Sequence, residues 1–209
     1  MENRIFGLET EYGCLAPEQD GFVSPDIISV RVKDHVFHSE RIGIVDIHYR
    51  GRDEPPGNGG FLFNSGRIYI DMGHIEYTTA ECKGLFDVVA SDRAGERILQ
   101  DALRSLGLEK EASFLKNNVD HVTGATFGCH ENYLVRRNVP FSTMVIPALL
   151  PFLVTRQIYS GAGRVGSYDD TFYFYDRDEL EEACEEDPVE FQISQRADHI
   201  VTEIYQWIQ

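Results

Sequence analysis

The sequence predicts an α+β fold, because two kinds of apolar periodicity occur in one chain. Residues 3–12 alternate with a period of two, which places Glu9 and Glu11 on the same side of a strand. Residues 67–71 alternate in the same way, and the segment 74–78 continues extended after a turn at Gly73. Apolar residues then recur near helical spacing, and Gly107 is a plausible end of that helix. The members of the helical pattern are Leu85, Val88, Val89, Leu99, Leu103 and Leu106.

The remaining elements are less regular. Residues 14–63 show no sustained pattern, and the Pro-Pro-Gly-Asn-Gly-Gly run at 55–60 indicates a loop. Residues 127–135 alternate and predict a strand. A glycine-rich turn is expected at 161–166, and an extended or helical segment at 189–205.

An apolar segment at 141–158 predicts a buried helix that Pro147 and Pro151 bend or delay. Its most apolar run, around 144–154, contains both prolines and is too short to span a bilayer. The sequence therefore predicts a soluble protein with no membrane partner. Four widely spaced cysteines without a CxxC pair suit a reducing compartment, so the expected location is cytoplasmic.

The charge balance excludes one class of partner. The 209 residues include 35 acidic and 19 basic side chains, and the formal net charge is −16. Such a surface repels phosphate backbones, so no nucleic acid partner is expected. Part of the acidic excess lies at 176–190, where it indicates a solvated helix or loop.

Glu9 and Glu11 are the first candidates for a functional site. Their spacing places both carboxylates close enough to share a cation. Two like charges at that distance repel each other unless a divalent metal or an arginine neutralises them. Hard oxygen ligands suit Mg²⁺ or Mn²⁺, which commonly bridge nucleotide phosphates. The alternative is that both glutamates face water on an edge strand.

Asp71 is the second candidate, since it ends a strand and is followed by Gly73, His74 and Glu76. A carboxylate at a strand end beside a tight turn can act as a base or a nucleophile. It can equally be an aspartate that caps the turn.

The strand at 127–135 carries the third candidate group. Alternation places His130 and Asn132 on one face, and Glu131 and Tyr133 on the other. Polar groups at this density are costly to bury without a purpose, which favours a functional role.

Seven motifs together resemble those of the family of Pup ligases and Pup deamidases/depupylases, in the same order. The resemblance covers nearly the whole chain except about 14–63 and 168–190. The motifs are GLETEYG, NSGRIYIDMGHIEYTTAEC, DRAGERIL, KNNVD, GCHENYL, PFLVTRQ and SQRADHI.

This resemblance implies a glutamine-synthetase-like fold, in which a curved antiparallel sheet holds ATP and Mg²⁺, with Mn²⁺ as a possible substitute, and helices pack behind it. Residues 1–209 are then expected to be the N-terminal portion of the catalytic domain, with a loop insertion at about 14–63. The family's chains continue well past this length and carry a later arginine-bearing motif, so the sequence is interpreted as a fragment.

The resemblance also implies roles for the candidate residues. Glu9, Glu11 and Glu76 match family positions that hold metal around the nucleotide phosphates. Asp71 matches the aspartate that the family uses beside the reacting carbonyl.

Three residues of the GCHENYL motif, His130, Glu131 and Asn132, would line the nucleotide site, although strand alternation leaves Glu131 pointing away from its neighbours. One departure from the family pattern is Ile75, which stands where the family has a proline. It alters turn rigidity and removes no reacting group.

The implied activity is ATP-dependent chemistry at the C-terminal Glu or Gln of the protein modifier Pup. A ligase would convert Pup's glutamate into an acyl phosphate and join it to a lysine of a target protein. A deamidase/depupylase would hydrolyse a C-terminal amide or the isopeptide bond of a pupylated protein. The spacing in DMGH and the motifs KNNVD, PFS, GRVG and FQISQRAD narrowly favour the hydrolase, whereas DRAGERIL, GCHENYL and LLPFLVTRQ with GAG favour the ligase.

Two other possibilities stay open. A truncated relative could capture Pup or nucleotide without turnover. A different carboxylate–amine ligase, such as a relative of glutamate–cysteine ligases, could share the fold and the metal carboxylates.

Overall fold

The computed structural model describes residues 5–16, 24–52, 54–119, 126–165 and 191–195. It divides into two compact units, one of residues 1–117 and 127–135, the other of residues 118–126 and 136–209.

Several sequence features lie outside the described residues. They are the acidic stretch 176–190, Asp120 of KNNVD, Gly166 of the glycine-rich turn, most of SQRADHI, and the predicted segment 189–205 apart from 191–195.

The first unit is built on an antiparallel sheet. Its described strands are β1 (Phe6–Leu15), β2 (Gly43–Val45), β3 (Gly59–Leu62), β4 (Arg67–Asp71), β5 (His74–Thr78), β6 (Ser113–Leu115) and β7 (Cys129–Tyr133). They follow the order β2, β3, β4, β5, β1 across the sheet, and β1 also pairs with β6 and β7. The long β1 therefore contacts three strands along its length and organises the sheet.

The predicted strands at 67–71 and 74–78 are confirmed as β4 and β5. Met72 and Gly73, which join them, have φ values of 46° and 90°. Positive φ at both central residues is what a two-residue hairpin turn requires, and glycine adopts it without steric cost. The turn fixes the register in which Asp71 pairs with His74.

The predicted helix is confirmed as α2 (Leu85–Ser105), which ends before Gly107. Gly107 has a φ of 73°, the left-handed conformation that commonly ends helices. Within α2, Gly95 packs directly on the ring of Tyr77, where any Cβ would collide with the aromatic carbons. The helix therefore lies as close to the sheet as its backbone allows.

Residues 14–63 contain regular structure that their irregular pattern did not predict. Helix α1 (Pro25–Asp34) begins with proline, which is pre-organised for a first turn, and continues as a π-helical segment over His35–Glu40. Strands β2 and β3 also fall in this range.

The hydrophobic core lies between one face of the sheet and helices α1 and α2. Strand side chains that alternate inward pack against helix side chains at full burial. They include Tyr12, Ile68, Ile75 and Tyr77 from the strands, and Ile28, Val32, Leu99 and Leu103 from the helices. The opposite face of the same strands is left free for polar side chains.

The second unit contains the apolar helical stretch predicted at 141–158. It runs as a π-helical segment, Phe141–Val145, then α3 (Ile146–Thr155) and α4 (Gln157–Ser160). Two-residue strands β8 (Arg164–Val165) and β9 (Phe191–Gln192) pair with each other.

The expectation that this helical stretch is buried is wrong, because none of its described residues is buried. The stretch Phe141–Ser160 has 20 residues and a mean hydropathy of 1.4, so by length and composition it is apolar enough to cross a membrane. This differs from the sequence prediction, which considered only the shorter run at 144–154. One such helix is weak evidence, because core helices of soluble proteins have the same length and composition.

Candidate functional site

Glu9, Glu11 and Glu76 lie on the sheet face opposite the helices. In the register of β1 and β5, Glu11 pairs directly with Glu76, and Glu9 pairs with Thr78. Residues paired in this way have Cβ atoms about 4.5–5.5 Å apart, with their side chains on the same face. Three carboxylates from two strands thus share one surface, which we call the carboxylate face.

Glu76 is the most buried of the three, with 3% of its surface exposed. Burial raises its pKa to about 7; a hydrogen bond from Tyr69 opposes the shift, and the charges of Glu11, Glu9 and Asp71 add to it. The carboxylates of β1, β4 and β5 are therefore close enough to repel one another.

Tyr69 occupies the space between two of these carboxylates. Its hydroxyl donates a hydrogen bond shared between Glu9 Oε1 and Glu76 Oε2. Burial, followed by these hydrogen bonds, raises the pKa of Tyr69, so its proton stays in place. The guanidinium of Arg67 lies 4.3 Å from the centroid of the Tyr69 ring and pairs with Glu54 at 2.5 Å. Arg67 thus fixes the ring from above.

His130 and Gly128 hold the two glutamates of β1. His130 pairs with Glu9 in the register of β1 and β7, and its Nδ1 lies 3.0 Å from Glu9 Oε2. Its Nε2 lies 3.8 Å from Glu11 Oε1. The backbone N–H of Gly128 donates to Glu11 Oε2 at 2.7 Å. A Cβ at position 128 would lie 2.9 Å from Glu11 Oε1, so glycine permits this approach.

Asp71 stands at the end of β4 beside the hairpin turn and is partly buried. Strand alternation places it on the same side as Tyr69, and its charge reaches Glu76. The neighbouring His74 contacts Phe127, with ring centroids 4.8 Å apart. An aromatic wall therefore borders this end of the carboxylate face.

The two remaining predicted residues lie on opposite faces of β7. Asn132 pairs with Gly7, on the carboxylate face, whereas Glu131 pairs with Leu8, on the other face. The carboxylate of Glu131 accepts a hydrogen bond from Tyr133 at 2.6 Å. Six of the seven predicted site residues thus share one face, and Glu131 is the exception.

The chemistry of the carboxylate face fits a divalent cation. Its donors are the hard carboxylate oxygens that Mg²⁺ and Mn²⁺ prefer, and their mutual repulsion is what such a cation relieves. Within the described ranges, no group of three or more His, Cys, Asp or Glu side chains is arranged to hold a metal ion. The Tyr69 hydroxyl and His130 each contact one carboxylate oxygen of Glu9.

Sequence analysis missed two groups of the site, the Tyr69 hydroxyl and the Gly128 amide. Tyr69 was detectable, because the alternation of β4 places it on the same side as Asp71. The Gly128 amide could not be detected, because a backbone group carries no sequence signal until the pairing of the strands is known.

Comparison with known proteins identifies a family to which the sequence is similar. A model of the family described as Pup-ligase protein matches residues 4–208. A protein of Kocuria rhizophila named Pup--protein ligase is 40% identical over 210 residues, which covers 96% of this chain and 40% of that protein. A Saccharomonospora viridis protein of the same name is 43% identical over 175 residues, covering 79% and 35% of the two chains.

A solved structure of similar fold is the crystal structure of the complex between the prokaryotic ubiquitin-like protein Pup and its ligase PafA. The match has a TM-score of 0.67 and 33% identity, and covers 95% of this chain and 35% of that chain. It confirms the predicted α+β class and agrees with a glutamine-synthetase-like sheet. The chain spans about two fifths or less of the length of these relatives.

Proposed function

The chain belongs to the Pup-ligase protein family, and from this premise we propose that it supplies the nucleotide- and metal-binding sheet of a Pup–protein ligase. One observation carries the proposal. Glu9, Glu11 and Glu76 meet on one face of the sheet, and Asp71 ends the adjacent strand on the same side. The proposed reaction joins Pup's C-terminal glutamate to a lysine of a target protein in the cytoplasm.

The proposal replaces the hydrolase that the motif spacings narrowly favoured. The relatives named above are Pup–protein ligases, and they support the ligase alternative. The deamidase/depupylase reading has no support from them.

The proposed roles follow from the charge of each residue. Glu9, Glu11 and Glu76 would hold the cation, while Tyr69 and His130 orient two of these carboxylates. When bound, ATP with Mg²⁺ would supply the phosphoryl group that turns the glutamate oxygen into a good leaving group.

Asp71 is proposed to accept the proton that the attacking lysine amine must lose. It stands at the strand end next to the turn, where strand alternation places it on the side of the carboxylates. His130 and Asn132 are proposed to face the nucleotide, while Glu131 lies on the other face and is removed from this role.

A second candidate is a non-catalytic module that binds Pup or nucleotide. It is favoured by the hydrogen bond from the Tyr69 hydroxyl to Glu9 and Glu76, which occupies carboxylate oxygens that a catalytic cation would need.

The test incubates the chain with ATP, Mg²⁺, Pup ending in glutamate and a lysine-bearing protein. We expect a conjugate whose mass is the sum of the two proteins less one water, detected by mass spectrometry. Asp71→Asn should abolish it and leave nucleotide binding intact, whereas Asp101→Asn, at an exposed position of α2, should change neither.

The other outcomes separate the alternatives. Loss of a preformed conjugate would favour the hydrolase. Nucleotide binding without either reaction would favour the module. A chain that binds neither ATP nor Mg²⁺ would contradict the proposed site itself.

A further inference from the structure

The side chains that alternate with the two glutamates of β1 meet an ionic cluster behind the sheet. Thr10 is 3% exposed, and its Oγ1 lies 3.5 Å from Asp92 Oδ1 and 3.9 Å from Cys129 Sγ. Tyr12 is 2% exposed, and its hydroxyl meets no hydrogen-bond partner within the described part of the chain. The backbone of β1 thus presents the carboxylate face on one side and this cluster on the other.

Lys116 is the centre of the cluster. Its Nζ lies 2.9 and 2.8 Å from the two oxygens of Asp92, and 2.8 Å from Glu96 Oε1. It also lies 5.7 Å from the centroid of the Tyr12 ring. Burial disfavours the charge of Lys116, but the bonds to Asp92 and Glu96 outweigh it and raise its pKa. One cation therefore joins α2 to the segment that follows β6.

Lys116 directly follows a short strand that pairs with β1. Strand β6 pairs with β1 through only three residues, Gly13 with Leu115 being the last pair before Lys116. A register slip of one residue would turn every side chain of a strand to the other face. Asp92 and Glu96, four residues apart on α2, both pair with Lys116, and Glu96 also pairs with Arg93 at 2.5 Å. Removal of Lys116 would therefore cost Asp92 this partner, while Glu96 keeps Arg93.

We propose that Lys116 is a positioning residue that holds β1 from behind and thereby sets where Glu9 and Glu11 stand on the carboxylate face. The inference rests on the proposed cation site. It assigns one task to three motifs, since GLETEYG supplies both faces of β1, DRAGERIL supplies Asp92 and Glu96, and KNNVD supplies Lys116. The Lys116–Asp92 pair is partly exposed, and Asp92 also lies 3.5 Å from the buried Thr10 of β1.

The test measures Mn²⁺ binding alone, through the loss of the free-ion signal in electron paramagnetic resonance. Lys116→Met keeps most of the side-chain volume and removes the charge. We expect about tenfold weaker Mn²⁺ binding, as for other residues that support metal ligands from behind. Lys116→Arg should restore most of the affinity. The matched control is Arg104→Met, which breaks an exposed ion pair with Asp101 on the same helix and should bind Mn²⁺ like the wild type.

The outcomes are distinguishable. Wild-type affinity in a folded Lys116→Met protein would overturn the positioning role and leave the proposed function standing. No Mn²⁺ binding by the wild type would overturn both. If circular dichroism shows that Lys116→Met is unfolded, Asp92→Asn takes its place, because it weakens the same link and keeps the side-chain shape. Unchanged Mn²⁺ affinity in Asp92→Asn would overturn the inference.

Discussion

Glu76 is buried among negative charges, and this determines how the protein responds to pH. Its pKa of about 7 lies above the ordinary value of a glutamate, so the folded chain holds this proton more tightly than the unfolded chain. The folded state binds more protons between about pH 4.5 and 7, and the free energy of unfolding therefore falls as the pH rises through that range. The stabilisation that comes from holding this proton is fully present below about pH 4.5 and is lost above about pH 7.

We expect the ionisation of Glu76 to account for on the order of 1–2 kcal/mol of this fall in the free energy of unfolding. Burial is the main cause of the raised pKa, and solvent screens part of the contribution from neighbouring charges. Urea unfolding at about pH 5 and about pH 8 measures it. Glu76→Gln cannot ionise and should flatten the dependence, whereas Glu111→Gln, at an exposed position, should keep the wild-type slope. An equal slope in Glu76→Gln and the wild type would contradict the raised pKa.

Local hydrogen bonds explain why the carboxylates of Glu9, Glu11 and Glu76 can lie so close together. Tyr69 donates a hydrogen bond shared by Glu9 and Glu76, His130 contacts Glu9 and Glu11, and the Gly128 amide donates to Glu11. Each of the three glutamates therefore has a hydrogen-bonding or charged partner within the fold, which offsets part of their mutual repulsion.

At the scale of elements, Gly95 decides how closely α2 approaches the sheet. A Cβ there would lie 2.8 Å from Cε1 of Tyr77, and closer still to two other ring atoms. Tyr77 is fully buried and cannot move aside. Gly95→Ala gains about 1 kcal/mol of helix propensity but costs about 1–3 kcal/mol through overpacking.

We therefore expect Gly95→Ala to lower the free energy of unfolding by up to about 2 kcal/mol in urea titrations. Arg97→Ala, two residues along on the exposed side, should stay within about 0.5 kcal/mol of the wild type. A stabilised Gly95→Ala protein would mean that the helix can retreat from Tyr77 without loss.

Elements with long, regular periodicity were predictable from the sequence, and others were not. β4, β5 and α2 alternate or repeat over their whole length and were located within a residue or two. Helix α1 was missed, although the spacing of Ile28, Val32 and Val36, which are all buried, carried its signal. The exposure of the helical stretch 141–160 had no sequence signal, because burial depends on what packs against a helix.

At the scale of the molecule, the two faces of the sheet carry different kinds of residue. One face forms the hydrophobic core, and the other carries most of the predicted site residues. Apolar side chains face α1 and α2, and six of the seven predicted site residues face the other way. The sequence predicted this separation for β1 by alternation alone. It could not predict which strands lie beside β1, since pairing depends on contacts between residues far apart in the chain.

The net charge of −16 gives the whole molecule two responses to added Mg²⁺. Any salt screens the repulsion among the acidic residues and stabilises the compact state. A cation bound at the carboxylate face would add a further gain that grows with the logarithm of its concentration, about 1.4 kcal/mol at ten times the dissociation constant. Thermal unfolding in MgCl₂ and in NaCl of matched ionic strength separates screening from binding, and we expect the melting temperature to be higher in MgCl₂.

Glu9→Gln should remove this difference in melting temperature and Glu111→Gln should retain it, because only Glu9 lies on the carboxylate face. Equal melting temperatures in the two salts would leave screening as the whole effect and would contradict a cation site on this sheet.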